Sequence, residues 1–127
     1  MAKNLHHNDW VLQQFKSEYL KTTHRNVIIH ASIIEGTLRN ISKQGSFSEA
    51  VKSLAVSGKI IPKETRIFDK IKNTRNSLIH DSFRKEFDQD KIDGLRDLLM
   101  VQIQEAYKES HFLERNLINK YKIKITL

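Results

Sequence analysis

The chain has 127 residues, with 22 Lys and Arg against 15 Asp and Glu, a formal net charge of +7, and no cysteine. The length predicts one compact domain spanning 1–127, and the missing cysteine excludes a disulfide framework, a thiol nucleophile and every Cys-based zinc or iron–sulfur site. Four Gly and one Pro argue for helices over a turn-rich sandwich or barrel, while the positive surplus points to an acidic partner, RNA or DNA ahead of a membrane, or else to a solubilising surface.

In chain order, Asn8 and Asp9 can cap a first helix in which Trp10, Val11, Gln14, Phe15 and Tyr19 fall at helical spacing. A second helix is predicted from Thr22-Thr23 to about Ser42. Ile34, Leu38 and Ile41 line one face, Val27, His30 and Ala31 flank it, and Ile28 and Ile29 widen it. Lys43-Gln44-Gly45 breaks the pattern. Ser46 and Glu49 then have the spacing of a reciprocal capping box for a short third helix carrying Phe47, Ala50, Val51 and Leu54, with Gly58 as its C-terminal stop. Pro62 suits the first turn of a fourth helix, extended to about Phe83, with Ile67, Phe68, Ile71, Leu78 and Ile79 as its apolar stripe. Asp88 or Asp90 opens a long last helix carrying Ile92, Leu95, Leu99, Ile103, Ala106 and Tyr107 and running on through Leu113 and Leu117. The tail 121–127 alternates apolar and polar residues, which is a strand period. The expected fold is all-α, an antiparallel bundle of four to five helices with a short β-like C-terminal tail. The N-terminus is polar and the apolar runs are short, so no leader, no membrane partner and a cytoplasmic location are expected.

One local pattern can carry chemistry. Arg75-Asn76 is followed after three residues by His80, and the same spacing recurs at Arg25-Asn26 and His30. Composition alone gives roughly 0.02 such matches. Residues five apart lie about 140° apart around a helix. Measured from Ile71, Arg75 is about 40° from the centre of the apolar face and His80 about 180° from it. Either the helix bends near Arg75, or His80 and Asn76 face a partner chain while Arg75 works from the seam. Both arrangements favour an oligomer. His30, about 40° from Ile34, reads as a core histidine, with a second catalytic histidine as the alternative.

The segment from Ile67 to Asp81 resembles the motif helix of the HEPN superfamily, small helical bundles identified by Arg-x4–6-His, often with Asn directly after the Arg. The segment from Ala31 to Arg39 resembles the helix that this family places earlier in its bundle, and the resemblance covers about residues 20 to 110. It implies a HEPN-like bundle and a homodimer whose two motifs meet across the twofold axis. It also implies metal-independent RNA endonuclease activity in a toxin–antitoxin or phage-defence setting, with a cognate antitoxin as a further partner. Arg75, Asn76 and His80 are the catalytic positions that match. Other members of the family are non-catalytic binding or regulatory modules, which is the alternative function.

The residue types suit that chemistry. Cleavage needs a base for the 2′-hydroxyl, an acid for the leaving 5′-oxygen and positive charge at the phosphorane. Histidine serves as either base or acid near neutrality, and arginine presents a fixed fork of donors to phosphate. Two copies across a dimer complete the acid–base pair, leaving products with 2′,3′-cyclic phosphate ends. No metal or cofactor is called for. Lys70, Lys72, Arg84 and Lys85 flank the motif as candidate RNA contacts; the alternative is a solvated face interleaved with Glu64, Asp69 and Glu86. His80 is also open to reading as an exposed histidine near a helix end. Arg75 is likewise open to reading as a structural arginine paired with Asp69, Glu35 or Asp81.

Overall fold

The structure is a computed structural model and describes residues 24–84, 86 and 88–119. The first predicted helix and the 121–127 tail lie outside the described residues. All the described secondary structure is helical: α1 (His24–Ser42), α2 (Phe47–Val56), α3 (Pro62–Ser82), α4 (Gln89–Glu109), the single turn α5 (His111–Leu113) and a π-helical turn (Glu114–Asn119). The fold is a helical bundle, as the periodicity predicts.

The core forms where apolar residues recur at helical spacing. Val27, Ala31, Ile34 and Leu38 of α1 meet Phe47, Ala50, Val51 and Leu54 of α2, and Ile67, Phe68, Ile71 and Leu78 of α3. Leu99, Ile103, Ala106 and Tyr107 of α4 close the other side. α3 packs chiefly against α4 and also meets α2 and α1. Among the described residues, the motif helix therefore meets three other helices and keeps one polar face uncovered.

Local signals explain the helix ends. The Ser46 hydroxyl accepts from the Glu49 amide at 3.1 Å and starts α2. The expected return bond from Glu49 to the Ser46 amide is not made among the described residues, and Glu49 is exposed. α2 stops where Gly58 takes φ +75°, a value that costs glycine nothing. The Lys59 amide then donates to the Leu54 carbonyl at 2.9 Å. After α1, the left-handed residue is Lys43 at φ +62°, not Gly45. Asp88, of the two candidates, caps α4, accepting from the Asp90 amide at 2.9 Å and the Lys91 amide at 3.4 Å.

Two expectations are corrected. Ile28 packs against the core but Ile29 is exposed. Ile29 sits five residues before Ile34, about 140° around the helix, so it turns away from the face instead of widening it. The last long helix does not continue through Leu113 and Leu117. Ser110 takes an extended conformation (φ −93°, ψ 108°) and starts a new turn, its hydroxyl accepting from the Leu113 amide at 3.1 Å. The cause is distant in sequence. The buried Glu64 carboxylate accepts from the Ser110 hydroxyl at 2.7 Å and from the Phe112 amide at 3.0 Å, and its other oxygen accepts from the Ile61 amide at 3.1 Å. One carboxylate thus caps α3 and holds the helix break after α4.

Candidate functional site

α3 is one continuous helix, so the 100° step between residues decides where each motif side chain goes. Arg75 lies at the seam. Its side chain is 13% exposed and its guanidinium pairs with Glu35 of α1 through Nη1. The guanidinium carbon sits 5.4 Å from the centre of the Phe47 ring of α2, within the range of a cation–π contact. Glu35 is shared with Arg39, 3.6 Å away. Of the three candidate partners for Arg75, the fold selects Glu35. The arginine thereby ties α1, α2 and α3 together.

The third contact of Arg75 leads outward. Its Nη2 donates to Oδ1 of Asn76 at 3.2 Å. Asn76 is exposed, and so is His80 one turn further along. With Oδ1 taken by the guanidinium, the two N–H donors of the Asn76 amide have no hydrogen-bond partner among the described residues. His80 makes no side-chain hydrogen bond among the described residues. Arg75 and His80 therefore lie on different sides of the helix, as the wheel predicts, and Asn76 connects the seam to the exposed face.

The second motif copy is placed differently. His30 is buried in the core, with its ring edge-on to Tyr107 (centroids 6.5 Å apart, planes at 88°). Burial pushes its pKa down from near 6.5 to about 4 and pushes the Tyr107 phenol up. His30 is a neutral core histidine, closed to any substrate. The Arg25 side chain lies outside what is described. The sign of the acid effect follows. The unfolded chain protonates His30 near pH 6.5, whereas the folded chain resists protonation until about pH 4. Stability is full above pH 6.5 and falls as the pH drops towards 4, by roughly 3 kcal/mol over the interval. Urea unfolding midpoints between pH 7 and pH 4 check this. A His30→Gln variant is expected to show a flatter profile.

The flanking cations divide into engaged and available groups. Lys72 is 20% exposed and pairs with Asp69 at 3.7 Å. Arg84 is 56% exposed and pairs with Asp81 at 3.3 Å; Lys91 reaches the other oxygen of the same carboxylate at 3.3 Å. Burial raises the Asp81 pKa, but Lys91 and Arg84 outweigh it and hold the carboxyl below its usual range. Lys70 is exposed and carries no ion pair among the described residues. Lys85 lies outside the described residues. Sequence reasoning missed the double role of Glu64, although Pro62 followed by Glu64 is the signal of a helix start whose third residue turns back to cap it.

Among the described residues, no group of three or more His, Asp or Glu side chains is placed to hold a metal ion, and no helix is long and apolar enough to cross a membrane. Comparison with family models, curated proteins and solved structures gives no match for this chain.

Proposed function

We propose that this chain is a metal-independent RNA endonuclease of the HEPN type, working as a homodimer in a toxin–antitoxin or phage-defence setting with a cognate inhibitor. The observation that carries the proposal is the relay from Glu35 through Arg75 to Asn76, which presents an oriented amide one turn from an exposed histidine. One His80 takes the proton of the 2′-hydroxyl as O2′ attacks phosphorus. The partner's His80 gives a proton to the departing 5′-oxygen. The bond from phosphorus to O5′ breaks and a 2′,3′-cyclic phosphate is left. The Asn76 amide donates to a phosphate oxygen as charge builds there, and Arg75 acts as a positioning residue through Asn76.

The full chain incubated with end-labelled single-stranded RNA in EDTA is expected to give fragments with 2′,3′-cyclic phosphate ends, and light scattering is expected to give the mass of a dimer. Intact RNA at every protein concentration overturns the proposal.

A second reading is favoured by one observation. A guanidinium held by Glu35 and stacked on Phe47 is also the arrangement of a purely structural arginine. A non-catalytic binding or regulatory module has the same bundle, retains RNA and releases no fragments. Binding that survives His80→Ala without cleavage by the parent chain identifies it.

A further inference from the structure

The exposed face of α3 carries a row that extends well beyond the motif. Arg66, Lys70, Asn73, Ser77 and His80 alternate at steps of four and three residues, and all five are exposed. At 100° per residue they fall within an arc of about 80° on one side of the helix, with Asn76 about 40° beyond its edge. From Arg66 to His80 is a rise of about 21 Å.

The acids of α3 are engaged elsewhere, although Asp69 borders the row, about 20° beyond its His80 edge, with its side chain 46% exposed. Glu64 is buried and accepts from Ile61, Ser110 and Phe112. Asp69 is paired with Lys72. Asp81 is buried between Lys91 and Arg84. The neighbouring cation Lys63 is also spoken for, 2.6 Å from Glu109. Arg66 and Lys70 have no ion-pair partner among the described residues. The row therefore presents two available cations at one end, uncharged donors and acceptors in the middle, and a histidine at the other end.

We infer that this row is a binding track for single-stranded RNA, with Arg66 and Lys70 gripping phosphates on one side of the scissile bond and Asn73 and Ser77 meeting the intervening nucleotides. The track rests on the RNA-cleaving reading for its histidine end but not for its grip. Arg66 and Lys70 are one turn apart, with Cβ atoms about 5–6 Å from one another, and they supply the backbone attraction that dominates nucleic-acid affinity. Short amides and a hydroxyl suit the exposed edges of unpaired bases. The deep major groove of an A-form duplex is closed to such side chains. The length holds roughly six nucleotides stacked at ~3.4 Å each, and fewer if the strand is extended. Both cations of the row lie towards the N-terminus of α3 from His80, so each chain of the proposed dimer grips one flank of the cleavage site.

The test measures anisotropy of a labelled 12-nucleotide 2′-O-methyl RNA, which lacks the attacking hydroxyl, against the full chain and two double variants. Arg66→Glu with Lys70→Glu is expected to weaken binding at least tenfold and to lower the slope of log affinity against log salt by roughly 1.4, about 0.7 for each lost phosphate contact. Lys43→Glu with Lys52→Glu makes the same charge change on exposed residues of other segments and is expected to cost less than threefold. The same 12-mer annealed to its complement is expected to bind more weakly than the single strand. An equal loss in the two double variants, equal affinity for duplex, or no binding by the parent chain overturns the track. Cleavage that persists with unchanged affinity in the Arg66/Lys70 variant removes the track and leaves the proposed activity standing. Binding through the track without any cleavage removes the activity and leaves the track standing.

Discussion

His80→Ala is expected to lower RNA cleavage roughly 100- to 10,000-fold, the range lost with a general acid or base. The effect is expected at the upper end, because in a twofold dimer one substitution removes both the base and the acid. The fold is expected to be indifferent. His80 is exposed and makes no side-chain hydrogen bond among the described residues, and such surface changes stay within about 0.5 kcal/mol. Single-turnover cleavage and urea unfolding of the same preparation measure the two quantities. Cleavage within threefold of the parent chain, with unchanged stability, removes His80 from the mechanism. Mixing His80→Ala chains with parent chains adds a stricter check. If both histidines serve one site, heterodimers lose activity along with the variant homodimers.

Glu64→Ala is expected to cost about 3–5 kcal/mol in unfolding free energy. Three donors converge on this carboxylate: the Ile61 amide, the Ser110 hydroxyl and the Phe112 amide. Ser110 and Phe112 are buried, so water does not replace the lost acceptor. Hydrogen bonds to a charged group contribute about 1.5–3 kcal/mol each, and a stranded buried donor costs about 1–3 kcal/mol. Glu64→Gln is expected to be milder, since its one carbonyl oxygen can still serve the Ser110 and Phe112 pair while the Ile61 bond is lost. Urea midpoints rank the variants. An alanine variant within 1 kcal/mol of the parent chain shows that the three contacts contribute little. A domain of this size has about 5–15 kcal/mol in total, so the expected loss is a large share.

α1, α2 and α3 were legible because their signals are local. An apolar stripe repeats every three to four residues, Ser46 caps α2 and Pro62 opens α3. The division of the motif was legible for the same reason: a helical wheel turns Arg75 inward and His80 outward, whatever surrounds them. The choice of Glu35 over Asp69 or Asp81 was not, because it depends on how α1 crosses α3. The break at Ser110 was hidden for a related reason. Leu113 and Leu117 continue a plausible helical phase, and what interrupts it is a carboxylate 46 residues upstream. Glu64 itself looked like one charge among several on a polar stretch. Its side chain is buried where its oxygens meet donors at the starts of two helices at once.

The shared duty of Arg75 has an evolutionary consequence. The same guanidinium ties three helices together and orients the amide beside His80. If the proposed activity holds, a descendant chain that abandons catalysis still needs the arginine to keep its bundle, while no side-chain hydrogen bond among the described residues holds on to the histidine. Across divergent relatives, the arginine is then the slow mark of shared architecture and the histidine the fast mark of retained activity. Loss of His80 with Arg75 intact is the first substitution to look for in a lineage that has turned from cutting to binding.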